Sequence, residues 1–277
     1  MLSSAIIVFR EVIEAGIIIG IVLAVTRGVH WRVPMVLAGL AIGVAGSLVV
    51  ATFAGGISAA LAGAGQEIFN SLLLGTAVCM LIWHNVWMAS HGRELACEMR
   101  QLGSEVVTGK RSLWALAIVI AIAVLREGSE VVLFMYGIAV SETASAAELL
   151  AGGLTGFALG ASLSALTYWG LVTIPARYLF SVTGWLITFL AAGMAAQAVT
   201  YLAQAGIVTA LGDIVWDTSA ILPDSVLLGR ILHALLGYVD QPTGLQLVAY
   251  LGTVAVMVGL SHLIARPQQP KRLVAGA

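Results

Sequence analysis

Two short stretches of this chain place carboxylates and a guanidinium at helical spacing inside otherwise apolar sequence: Phe9-Arg10-Glu11-Val12-Ile13-Glu14 and Leu125-Arg126-Glu127-Gly128-Ser129-Glu130. Residues three and four apart share a helix face, so Arg10, Glu11 and Glu14 converge on one patch, and Arg126, Glu127 and Glu130 on another. An ionised carboxylate in hydrocarbon costs at least ~2.5 kcal/mol on the most lenient scale, and four of them with two arginines imply a purpose. Ion pairs that merely fasten helices do not need two acids for each arginine, and apolar packing fastens helices with less desolvation. Four carboxylates and two guanidiniums leave an excess of negative charge that a bound cation completes. All-oxygen donors suit hard cations rather than thiophilic ones.

The elements that must position these patches are membrane helices. The chain has 277 residues, 60% hydrophobic and 10% charged, with a mean hydropathy of +1.01, whereas a soluble domain is roughly a quarter charged. Each crossing needs about 20 apolar residues, and seven stretches qualify: residues 3–25, 33–53, 68–88, 113–136, 149–171, 179–201 and 245–264. The first is not a cleaved secretion signal, because nothing basic precedes it and Arg10, Glu11 and Glu14 interrupt it. A net charge of −1 offers no basic surface for nucleic acid. Two cysteines, Cys79 and Cys97, make neither a disulfide framework nor a thiolate cluster.

Basic residues are retained on the cytoplasmic side. Ten of the 13 Lys and Arg, from Arg27 and Arg32 to Lys271 and Arg272, fall on one side, Arg230 alone on the other, and Arg10 and Arg126 within spans. The expected architecture is therefore an all-α integral membrane protein with the N-terminus outside and the C-terminus in the cytoplasm. The outer side is acidic, with Glu67, Glu142, Glu148, Asp213, Asp217, Asp224 and Asp240 on it or at its edge. Such a surface either is ordinary solvated loop or concentrates cations before transport.

The two charged stretches are 116 residues apart, and Gly39, Gly43 and Ser47 in the second span are echoed by Gly156, Gly160 and Ser164 in the fifth at an offset of 117. Both matches predict two three-helix repeats, inverted because three is odd, with the seventh helix as an appendage. The whole chain is expected to be one transmembrane domain: repeat one over about 1–90, a cytoplasmic connector over about 90–112, repeat two over about 113–205, an external loop over about 206–243, and the last helix and cytoplasmic tail over 244–277. Counted from the outer edge, Glu11 and Glu130 come to similar depths, roughly 10–12 Å at 1.5 Å per residue, as a shared site requires. Small residues four apart read as close helix packing.

Paired Arg-Glu-x-x-Glu motifs in the first and fourth of seven spans resemble the oxidase-dependent iron permease family. Gln66-Glu67-Ile68-Phe69, Ala191-Ala192-Gly193-Met194 and the external stretch from Trp216-Asp217-Thr218-Ser219 through Leu228-Gly229-Arg230 to Gly237-Tyr238 resemble its bacterial branch. The resemblance implies import of ferric or ferrous iron across the bacterial cytoplasmic membrane. It also implies Glu11, Glu14, Glu127 and Glu130 as metal ligands, Arg10 and Arg126 as charge balance, and no permanently bound cofactor. A periplasmic accessory protein that delivers or oxidises the iron is a further expectation. The family motif is usually Arg-Glu-Gly-x-Glu; Gly128 obeys it and Val12 does not. Alternating access, one repeat moving against the other, and a channel-like path are both open.

Weaker candidates complete the reading. Glu67, Asp213 and Asp217 could pass a cation inward. His84, with Trp83 and Trp87, is placed near the inner end of the third span, where belt residues are common, and metal binding by His84 is the lesser alternative. The connector around His91 and Cys97 reads as a surface helix lying along the membrane, and residues 224–240 as an external interfacial helix. The alternatives are transport of lead or a divalent metal, a proton-coupled organic carrier, and an intramembrane serine protease using Ser162 and His262. The chain is expected not to be an enzyme, since the glycines beside Ser162 are better explained by packing.

Overall fold

The computed structural model describes residues 1–60, 65–142, 145–170, 176–224 and 226–264, with side chains left aside at 55, 57–60, 89–90, 92–93 and 176–180. The elements are helical: α1 (Leu2–Val25), α2 (Arg32–Ala60), α3 (Gln66–Val107), α4 (Trp114–Ser141), α5 (Ala146–Tyr168), α6 (Ala176–Gln204), α7 (Leu227–Leu236) and α8 (Gly244–Ile264). Among the described residues, five segments are long and apolar enough to cross a membrane: Arg32–Ala54, Gln66–Met88, Ala146–Tyr168, Ser181–Gln204 and Gly244–Leu263. The other two long helices, α1 of 24 residues and α4 of 28, are set apart by the charges in their middles.

The bundle encloses one charged layer within an apolar core and leaves apolar side chains on its outside. Arg10, Glu11, Glu14, His84, Glu127 and Glu130 are buried, while Leu48 and Phe53 of α2, Leu150 and Leu154 of α5, and Leu251 and Leu263 of α8 face outward. Monomers in water do not leave apolar surface on this scale uncovered, and the chain is a multi-pass membrane protein.

Neighbours in sequence are not the main neighbours in space. Helix α1 lies along α5, α2 along α4, and α3 along α6, while α8 packs against α6. Glycines allow the first two contacts. A Cβ at Gly39 would collide with the Ala117 carbonyl and one at Gly43 with Ala121; in the other pair Gly152 abuts the Met1 carbonyl, Gly156 that of Ala5 and Gly160 that of Phe9. Because both series ascend together, α1 runs parallel to α5, and α2 to α4, as close small-residue pairs in membranes often do. The contacts align Gly39 with Gly152 and Gly43 with Gly156, an offset of 113 rather than 117. A stripe with period four can slide by one turn without changing its appearance, so sequence alone picked the wrong turn.

The same register explains Val12. Gly128 of α4 leaves no space for a Cβ because Ser47 of α2 fills it, whereas Val12 of α1 fills the space beside Gly160 of α5. The small partner has changed sides between the two interfaces. Substituting Gly156 by alanine drives a methyl into backbone, so a loss of about 1–3 kcal/mol is expected from overpacking. Gly252 of α8 has nothing within 4 Å of its Cβ position, and Gly252→Ala should be neutral or slightly stabilising from helix propensity. Unfolding of both variants in detergent checks the contrast; equal losses would show that the α1–α5 contact is not tight.

The expected connector helix along the membrane is not separate. Helix α3 continues unbroken for 42 residues, about 63 Å at 1.5 Å per residue, twice the hydrocarbon thickness. No proline interrupts residues 89–107, and Met99, Leu102 and Val106 bury against Val22 of α1 and Leu116 of α4. The helix expected within residues 224–240 is present as α7, ended by Gly237 at φ 66°. Gly237 touches Gly193 of α6 backbone to backbone, while Tyr238 Oη donates to Leu222 O at 2.9 Å and Thr218 N to Asp240 O at 2.9 Å.

Candidate metal centre

Helices α1, α3 and α4 bring the charged residues to one layer. On α1, Arg10 Nε is 2.9 Å from Glu14 Oε1, and Arg10 Nη1 is 3.5 Å from Glu11 Oε1. On α4, Arg126 Nε donates to Glu130 Oε1 at 3.2 Å and lies 3.9 Å from Glu127 Oε1. Between the pairs stands His84 of α3: Nε2 is 3.3 Å from Glu14 Oε2 and 3.9 Å from Glu11 Oε2, and Nδ1 touches Glu130 Oε2. Glu11, His84, Glu127 and Glu130 each offer one donor atom, all within 4.8 Å of one another. Glu127 Oε2 is buried without a hydrogen bond, and the Glu11, Glu14 and Glu130 oxygens that face His84 or Arg10 are buried in close charge contacts with them.

The two arginines differ. Arg10 is 3% exposed, locked between its own glutamates. Arg126 is 36% exposed and leans over the Trp87 ring, 4.3 Å from its centroid. The motif is repeated in sequence, but its surroundings are not.

Apolar side chains close the layer on both sides. Ile7, Leu74, Leu81, Phe134 and Ile138 belong to one buried cluster, and Ile18, Val22, Ile120, Val124 and Met99 to another. Along α1 and α4 the charged residues fall between the two clusters. A separate cavity of about 240 Å³ lies between α1 and α5, lined by Gly16, Gly20, Ser164 and Thr167 among others and by none of the charged groups.

Sequence reasoning gathered the four glutamates and two arginines but put His84 at an inner edge. That reading counted depth from the end of an apolar run, whereas α3 runs on well past it. The overlooked signal is periodic: Leu74, Ala77 and Leu81 are buried, and His84 continues that stripe. The outer candidates stay apart from the layer. Glu67, Asp213 and Asp217 are exposed. Asp217 Oδ1 accepts from Ser219 N at 2.9 Å and Ser219 Oγ at 2.6 Å, and its other oxygen from Gln241 at 3.0 Å; these bonds hold its carboxyl below the usual range. Glu148 caps α5 through Ser145, and Glu142 accepts from Ser3, so two of the external acids are fasteners of helix ends. Ser162 and His262 sit on α5 and α8, which do not touch among the described residues, leaving no nucleophile–base pair there.

The chain was compared with known proteins. The Iron permease FTR1 family model matches residues 1–267. A protein of Escherichia coli O6:H1 named "Ferrous iron permease EfeU" is 28% identical over 246 residues, 86% of each chain. The protein of the same name from Yersinia pestis is 27% identical over 248 residues, 88% of this chain and 87% of its own. That from Shigella flexneri is 31% identical over 179 residues, 64% of this chain and 75% of its own. No solved structure matches. A family match that runs through both charged helices and every helix packed on them makes this chain a member of the iron permease FTR1 family.

Proposed function

We propose that this protein imports iron across the bacterial cytoplasmic membrane, through the layer in which α1 and α4 present their Arg-Glu-x-x-Glu motifs to each other. The observation that carries this is the convergence of buried carboxylates from Glu11, Glu127 and Glu130, more acid than the nearby arginines balance, on one small space. Excess buried acid is costly and is balanced by a cation whose water the carboxylates replace. Donors within 4.8 Å of one another suit a single ion, which favours a metal over an organic substrate. Ferrous iron is the proposed form, in keeping with the names of the relatives.

In this reading α1–α6 and α8 are seven crossings, N-terminus outside, with α7 on the outer face and α1–α3 and α4–α6 as inverted repeats. The parallel pairs α1/α5 and α2/α4 support it, because helices separated by an even number of alternating crossings run the same way. So does the exchange of partners between the triplets. The apolar clusters around Phe134 and around Ile120 act as outer and inner seals, opened alternately. Each triplet is clasped into the other, so the moving bodies are the α1/α5 and α2/α4 pairs rather than whole repeats.

The test is radioactive iron uptake by proteoliposomes, supplied as Fe(II) with ascorbate or as Fe(III)-citrate. Saturable uptake of Fe(II) is expected; absence of uptake in both forms, with uptake of lead or manganese instead, would overturn the iron assignment. Glu67, Asp213 and Asp217 are proposed to concentrate cations outside. Removing the first two charges together should raise the apparent KM about two- to fivefold at low ionic strength, and the effect should vanish in 0.5 M salt, roughly, as screening takes over.

A further inference from the structure

The geometry points to His84 as a nitrogen ligand of the transported ion, bound through Nδ1 and aimed by Glu14 through Nε2. This rests on the iron-permease reading of the same layer and sharpens it. The four donors gathered within 4.8 Å are not the four motif glutamates: His84 replaces Glu14. Glu14 is engaged elsewhere, with one oxygen 2.9 Å from Arg10 Nε and the other 3.3 Å from His84 Nε2. The ring's opposite nitrogen points to Glu130. An imidazole can give a metal only one nitrogen, and the other is held in metalloproteins by a carboxylate that fixes tautomer and ring orientation. Arg10, Glu14 and His84 form such a relay, ending on the nitrogen that faces Glu130, while Glu11 Oε2 stands 3.9 Å from Nε2.

Donors about 2.0–2.2 Å from a first-row divalent ion are at most about 4.4 Å apart, so the widest spacing needs only a small inward shift, while His84 and Glu130, already in contact, part to admit the ion. The burial of His84, 2% exposed, with a carboxylate at each ring nitrogen, sets it apart from a packed core histidine. One imidazole among three carboxylates changes the class of cation. Carboxylates alone suit magnesium and calcium, whereas imidazole suits iron, nickel, copper and zinc. The site is thereby matched to a divalent transition metal of borderline softness, and His84 is its specificity residue.

Pulsed EPR of Mn(II) bound to the full chain in nanodiscs tests this without transport. A coordinated imidazole gives a ¹⁴N coupling that turns into a ¹⁵N coupling when the protein is grown on ¹⁵N-histidine. The coupling should persist when His30, His91, His233 and His262 are all replaced by asparagine, leaving His84 as the sole histidine, so no change at His84 itself is required. In His84→Asn, Mn(II) should bind without nitrogen coupling, and the preference for Fe(II) over Mg(II) should fall at least about tenfold, the imidazole being the donor that favours iron. Glu14→Gln should keep the coupling while weakening binding about 10–100-fold, as second-layer changes do. Mn(II) bound to wild type in a Glu127-dependent manner but without histidine coupling would overturn the role of His84 alone. Binding that is indifferent to both Glu127 and His84 would overturn the shared site as well.

Discussion

Glu127→Gln should reduce ferrous uptake about 100-fold or more while leaving the protein at least as stable as wild type. A hundredfold corresponds to about 2.7 kcal/mol, the range expected when a charged donor is lost from a buried contact. The sign on stability follows from the surroundings. Glu127 is 4% exposed, and one of its oxygens is buried without a partner. Removing its charge orphans no arginine, because Arg126 keeps Glu130 at 3.2 Å. A glutamine of the same size therefore relieves repulsion within an acid-rich layer. Glu11→Gln on the opposite helix should also abolish uptake. Uptake assays and thermal unfolding on the same preparation check the opposed effects, and wild-type transport by Glu127→Gln would remove the carboxylates from the path.

The second large effect concerns folding. Arg10→Leu should destabilise the protein by about 3–5 kcal/mol, the usual cost of breaking a buried ion pair from one side. Arg10 pairs with both Glu11 and Glu14, all three enclosed. Arg126→Leu, at the same motif position, should cost only about 0–1 kcal/mol as a partly exposed ion pair, together with a modest stacking loss over Trp87. Combining Arg10→Leu with Glu14→Gln should recover part of the loss, since a carboxylate no longer needs neutralising. Equal sensitivity at Arg10 and Arg126, measured by unfolding in detergent, would contradict the asymmetry of the two motifs.

What could be read directly from the sequence were features that hydrocarbon makes expensive. Charges inside apolar runs have few explanations, so Glu11, Glu14, Glu127 and Glu130 stood out, and their even spacing gave the faces. Five of the expected spans followed from apolar length. What could not be read was tertiary register. Gly39 and Gly43 announce close packing but not against which turn, and nothing local says that α2 belongs beside α4. His84 was underrated for a related reason: depth was measured from where the apolar run stops, and α3 does not stop there. Nor does an identical motif reveal that one arginine will be sealed in and the other left against an indole.

The crossed pairing of helices also constrains how the protein is made. When the first 112 residues have been synthesised, α1, α2 and α3 exist without α5, α4 and α6, their principal companions. Helix α1 then carries Arg10, Glu11 and Glu14 with no α4 to meet them, and α2 touches α1 only slightly. The first half of the chain is thus an unfinished intermediate that cannot shelter its own charges. Biogenesis has to keep it near water or the insertion machinery until the second half arrives and closes both clasps at once.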